Sequence, residues 1–203
     1  MVHYIGQGVE TQAFTLTGPV ATVVAALIAA FVGSSMGHYL TKRREWRKSA
    51  REAAMQHLQR QIQEFYGPLA GLVREATILY ETACEILPTV DGRGTQIDTN
   101  QFKDGDVVRW RFFIETYWFP LNQQIVQLLR TKVYLLEGDT MPASFLAFIR
   151  HAAAFEALHR LWKEKGEETN KQVKGVGWPA QFDRDIEQSL LSLKIKYDAY
   201  RER

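Results

Sequence analysis

Residues 18–40 read GPVATVVAALIAAFVGSSMGHYL, and from Thr11 to Thr41 there is no Asp, Glu, Lys or Arg. A helix rises 1.5 Å per residue, so about 20 such residues cross a hydrocarbon core of about 30 Å. Thr17 or Gly18 suits the cap of this helix and Pro19 its first turn, where a missing N–H costs nothing. The stretch predicts a transmembrane helix over residues 18–41, and the rest of the chain is organised around it.

The flanks set its direction. Before the span stands one acid, Glu10, and no Lys or Arg; just after it come Lys42, Arg43, Arg44, Arg47, Lys48 and Arg51, opposed by Glu45. Positive flanks stay in the cytoplasm. The sequence therefore predicts a short extracytoplasmic tail (1–17), the span, a basic juxtamembrane helix (42–61) and a cytoplasmic domain (62–203), all at the inner (plasma) membrane. A cleavable signal peptide carries its positive charge ahead of the apolar run, which is the reverse of this order.

The net charge is +2, but it is unevenly placed. Residues 1–41 carry −1, residues 42–51 carry +5 and residues 52–203 carry −2. The basic character belongs to the membrane flank, which argues against a nucleic-acid-binding surface. Lys42, Arg43, Arg44, Arg47, Lys48 and Arg51 are expected to set topology or to meet lipid headgroups. The one cysteine, Cys84, excludes an intrachain disulfide.

Beyond the span the pattern is helical. From Ile62 two apolar series repeat every seven residues: Ile62, Leu69, Ala76, Ala83 and Phe65, Leu72, Leu79, Ile86. Such spacing marks a helix buried against partner helices. It runs through Gly67-Pro68, so a kinked helix is expected there, ending at Pro88. Thr89 to Gly105 reads as the longest unstructured loop. Asp104 or Asp106 opens the next helix, in which Val107, Ile114, Leu121, Leu128 and Leu135 pass through Pro120. Glu137-Gly138-Asp139 closes it. Tyr66-Gly-Pro-Leu69 and Trp118-Phe-Pro-Leu121 share a pattern that suggests two helices of similar construction.

A further helix is capped by Asp139 or Thr140, carries Pro142 in its first turn and runs to about Lys165, with Phe145, Phe148, Ala152, Phe155 and Trp162 on one face. After a second loop (EETNKQVKGVGW) the last helix starts at Pro179, with Phe182, Ile186, Leu190, Leu193, Tyr197 and Tyr200 on its stripe. The expected fold is all-α: one N-terminal transmembrane helix continuing into an antiparallel bundle of about four helices, two of them kinked at proline.

Catalytic patterns are sparse. Gly92-Arg93-Gly94 and Gly175-Val176-Gly177 lack the strand-to-helix setting of a phosphate loop, and Cys84 has no neighbouring His on its helix. Glu156 and His159 make a single Glu-x-x-His, whereas di-iron bundles need two with two further Glu. No catalytic residue, metal or cofactor is assigned.

Two features point to contacts. Ala25, Ala29, Gly33 and Gly37 recur every four residues in the span, a spacing that lets helix backbones approach closely in lipid. Trp110, Phe112, Phe113, Trp118 and Phe119 crowd one helix and are expected to serve packing or an interface. The sequence reading is a non-enzymatic accessory subunit, scaffold or self-assembling membrane protein. Its partners would be membrane lipids and a second copy or larger membrane complex, without nucleic acid. The alternatives are a membrane-acting effector or sensor of stress or phage-defence type, and a metal or haem site on the bundle.

Overall fold

The computed structural model describes residues 18–90, 96–138, 140–166 and 177–202. Six α-helices form among them: α1 (Pro19–Gln61), α2 (Gly67–Ile86), α3 (Asp104–Phe113), α4 (Phe119–Thr131), α5 (Ala143–Lys165) and α6 (Ala180–Arg201). The described residues contain no strand; one isolated antiparallel bridge joins Thr89 to Ile97. The expected all-α class holds. The predicted tail of residues 1–17, with Glu10, lies outside the described residues.

The chain divides into two compact units, Met1–Glu52 and Ala53–Arg203. In the first, every residue from Thr22 to Ala50 is exposed along α1. A helix satisfies its own backbone groups, which is what a single segment in lipid requires. Among the described residues it is the one helix long and apolar enough to cross a membrane.

The second unit is a helical bundle. α2 packs on α4 and α6, and α5 packs on the same two, so four helices surround one core. Its centre is Phe65, Leu69, Ile125, Leu129, Phe145, Phe148, Phe182 and Ile186, each 3 % exposed or less. Phe148 and Phe182 stack at 4.5 Å between centroids, and Phe145 meets Phe182 edge-on at 5.2 Å. A second cluster gathers Ala83, Cys84, Leu87, Ile97, Phe113, Ile114 and Trp118 around α3 and the end of α2.

Each expected proline site is built the same way. A five-residue π turn, Ile62–Tyr66, precedes Gly67-Pro68, and another, Ile114–Trp118, precedes Phe119-Pro120. Gly67 N donates to Ile62 O and Phe119 N to Ile114 O, five residues back. Proline donates no hydrogen bond and its ring crowds the carbonyl four residues earlier, so a widened turn accommodates it without ending the helix.

The buried residues of α2 are Leu69, Val73, Ala76, Ala83 and Cys84, preceded by Tyr66 in the π turn and followed by Leu87 just past the helix. The predicted series Phe65, Leu72, Leu79, Ile86 begins in the core and finishes with Ile86 47 % exposed. The companion series keeps its face at the same seven-residue step, with Leu69, Ala76 and Ala83 all buried.

Several boundaries move. The second long helix ends at Thr131, not at Glu137-Gly138-Asp139, and a 3₁₀ turn over Val133–Leu135 follows. That tighter turn brings Leu135 to complete burial, and Gly138 then takes φ +94°, a conformation that favours glycine. α5 is capped at Pro142 instead of Thr140; Asp139 lies outside the described residues.

The described parts of the expected Thr89–Gly105 loop, residues 89–90 and 96–105, hold more hydrogen-bonded structure than their composition suggests. Val90 N donates to Gln96 O (2.9 Å) and Asp98 N to Pro88 O (2.8 Å). The Asp98 carboxylate accepts from Asn100 N and Gln101 Nε2, and α3 starts at Asp104 with Lys103 N donating to Asp106 Oδ2 at 3.1 Å. Residues 91–95, including Gly92-Arg93-Gly94, lie outside the described residues, as do 167–176 with most of the second loop and Gly175-Val176.

Candidate functional site

The span is the first candidate. Ala25, Ala29, Gly33 and Gly37 are all exposed on α1, and a methyl group built at Gly33 or Gly37 would meet nothing within 4 Å. Among the described residues, then, no neighbour requires glycine at either position. Thr41 Oγ1 donates to Gly37 O at 2.9 Å, one turn earlier in the same helix.

Beyond it, Lys42, Arg43, Arg44, Arg47 and Lys48 are exposed, and Lys48 reaches Glu52 at only 4.0 Å. Arg51 is half-buried. Amid them Trp46 is 73 % exposed, and Tyr39 at the end of the apolar run is 64 % exposed. The sequence reading passed over both, although their signal was present: interfacial Trp and Tyr commonly flank membrane spans.

The aromatic residues of the second candidate part company. Phe113 and Trp118 are buried at 8 % and 9 % exposure, Trp110 and Phe119 are half-buried, and Phe112 is 56 % exposed. Trp118 sits 4.8 Å from Trp110 and 5.7 Å from Phe113, centroid to centroid. Phe112 instead meets Tyr117, itself exposed, at 5.8 Å. Ile97 N donates to the Tyr80 hydroxyl at 3.3 Å, and burial pushes the Tyr80 phenol up from its ordinary value.

Glu156 and His159 turn to different partners. Glu156 pairs with Arg160 at 2.8 Å, while His159 Nε2 lies 3.0 Å from Glu115 Oε1. The imidazole rests against the Phe119 ring at 4.4 Å. The contact with His159 holds the Glu115 carboxyl below its usual range, with Lys163 adding to the effect. Among the described residues no group of three or more His, Cys, Asp or Glu is placed to hold a metal ion.

A polar clasp at the first π turn was not anticipated. Gln61, 4 % exposed, donates to Leu135 O at 3.0 Å, and the Tyr66 hydroxyl accepts from Glu137 N at 3.2 Å. Glu64 bridges Lys132 (2.8 Å) and Arg60 (3.1 Å), and Lys196 pairs with Glu137. Gln61 and Tyr66 thus meet main-chain groups of the α4–α5 connection, while Lys132 and Glu137 tie it to Glu64 and Lys196 through ion pairs. Comparison of the chain with protein-family models, with curated proteins and with solved structures finds no match.

Proposed function

We propose that this chain is a single-pass inner-membrane protein, its N-terminal side outside and its bundle in the cytoplasm. It acts without catalysis, as an accessory subunit, scaffold or self-assembling component, through helix–helix contact in the lipid. The helices of the bundle alternate in direction in this reading, and Pro68 and Pro120 bend the helices that carry them. One observation carries the proposal. The row Ala25, Ala29, Gly33 and Gly37 lies on an exposed helix, and its glycines have no neighbour among the described residues to account for them. In lipid, close backbone packing drives association where hydrophobicity cannot.

The test is Gly33→Leu and Gly37→Leu, which place bulk on that row while keeping the segment apolar. Crosslinking and detergent-gel mobility should show loss of the oligomer or partner complex, with membrane insertion unchanged. Val24→Leu and Phe31→Leu, off the row, should behave as the parent. Association that survives both glycine replacements would assign the contact to the bundle instead.

A further inference from the structure

We infer that the turn of α1 around Trp46 is a seat for anionic phospholipid headgroups, with Trp46 fixing its depth and the adjoining cations supplying the charge preference. The inference rests on the membrane reading of the span and deepens it by naming a lipid class.

The geometry of one helix carries the argument. Trp46 and Tyr39 are seven residues apart, hence within about 20° of one another around α1, and both are exposed. Arg43, three residues before Trp46 and exposed, lies beside that aromatic line. Lys42 flanks it on the other side, since three- and four-residue steps share a helix face. Lys48, further along the helix, stands 4.0 Å from Glu52. Lys42 is the first charge after the apolar run, and Trp46 follows it by four residues, about 6 Å along the axis. That places the indole within a headgroup layer of about 5–8 Å per leaflet. Amphipathic rings settle at this depth, and Lys and Arg side chains reach anionic lipid from it.

Charge selects the occupant. The flank from Lys42 to Arg51 carries +5 and the following residues −2. The attraction is therefore confined to the turns that adjoin the span, where a bilayer surface is the nearest polyanion. A nucleic-acid surface would need cations spread along the bundle, which instead alternate with acids.

The full chain is reconstituted in vesicles of phosphatidylcholine with or without phosphatidylglycerol, and spin-labelled analogues of each lipid report the boundary. The expected result is a preference for the phosphatidylglycerol label that weakens in high salt. It should fall by roughly fivefold in an Arg43→Gln variant, which removes one cation worth about 1 kcal/mol at the surface. Brominated phospholipid should quench the wild-type chain more than Trp46→Phe, the difference reporting the indole at the interface. Equal association of both labels with an inserted chain would overturn the lipid seat while leaving the span intact. So would tight binding of single-stranded RNA by the same cations with no lipid preference. Extraction of the chain from the vesicles by alkaline carbonate would overturn the span and the seat together.

Discussion

The side-chain amide of Gln61 donates from Nε2 to the main-chain carbonyl of Leu135 at 3.0 Å, with Gln61 only 4 % exposed. It also reaches Leu136 O at 3.5 Å. A glutamine at the last residue of α1 thus supplies the donor that the turn after α4 lacks, and so ties two chain segments 74 positions apart. A buried carbonyl without its donor is costly, so this contact has a measurable role in the bundle.

Replacing Gln61 with Leu keeps the volume and removes the donor. The full chain in mild detergent should lose about 1–3 kcal/mol of stability, read as a lower denaturation midpoint. Gln59→Leu, two residues earlier and exposed on the other side of the helix, is the comparison and should change little. Equal midpoints for the two variants would mean that water replaces the glutamine at Leu135.

The aromatic segment separates into structural and surface members. Trp118→Ala removes a ring packed between Trp110 and Phe113, and should cost about 3–5 kcal/mol. Phe112→Ala removes a ring that is 56 % exposed, and should stay within about 0.5 kcal/mol of the parent. Thermal unfolding of both variants checks the split. A large loss for Phe112→Ala would show that its exposed face is covered in the working protein.

Two carboxylates give opposite pH signatures. Lys132 and then Arg60 hold the Glu64 carboxyl below its ordinary 4.5. The stability it contributes is therefore present above that value and lost as pH falls through the lowered one. Burial raises the Asp183 carboxyl above its ordinary 3.8, against the hydrogen bond from Trp178 Nε1 at 2.9 Å. Its cost is absent in acid and grows as pH rises from 3.8 through the raised value. Asp183→Asn, which keeps an acceptor for Trp178, should raise the melting temperature at pH 7 but not in strong acid. Glu64→Gln should lower it at pH 7 and flatten the acid limb. Melting curves across pH 3–7 read both signs; a lower melting temperature for Asp183→Asn at pH 7 would contradict the burial argument.

Much of this architecture is legible in the sequence because burial writes itself as period. Leu69, Ala76, Phe145, Phe148, Phe182, Ile186 and Leu193 are buried where their spacing puts them, and the uncharged run before Lys42 forms the exposed helix that its length implies. The π turns are not legible in the same way. The seven-residue series cross both turns with Leu69 and Leu121 still buried, so the spacing carries no sign of the inserted residue; Tyr66, Val73, Ile125 and Leu129, also buried, belong to no predicted series. Gln61 was equally hidden, since nothing local distinguishes a glutamine that meets a carbonyl 74 positions away from one that faces water. Trp46 was different: its sequence context sufficed, and the charges around it drew the attention instead.

The central claim is that the helix containing Gly33 and Gly37 crosses the membrane once, with the basic flank inside. Tags at Met1 and Arg203, probed by protease in spheroplasts, test it most directly. The account predicts that external protease removes the tag at Met1 and leaves the Arg203 tag and the bundle intact until the membrane is opened. Digestion of the bundle from outside, or release of the whole chain into the soluble fraction, would contradict it.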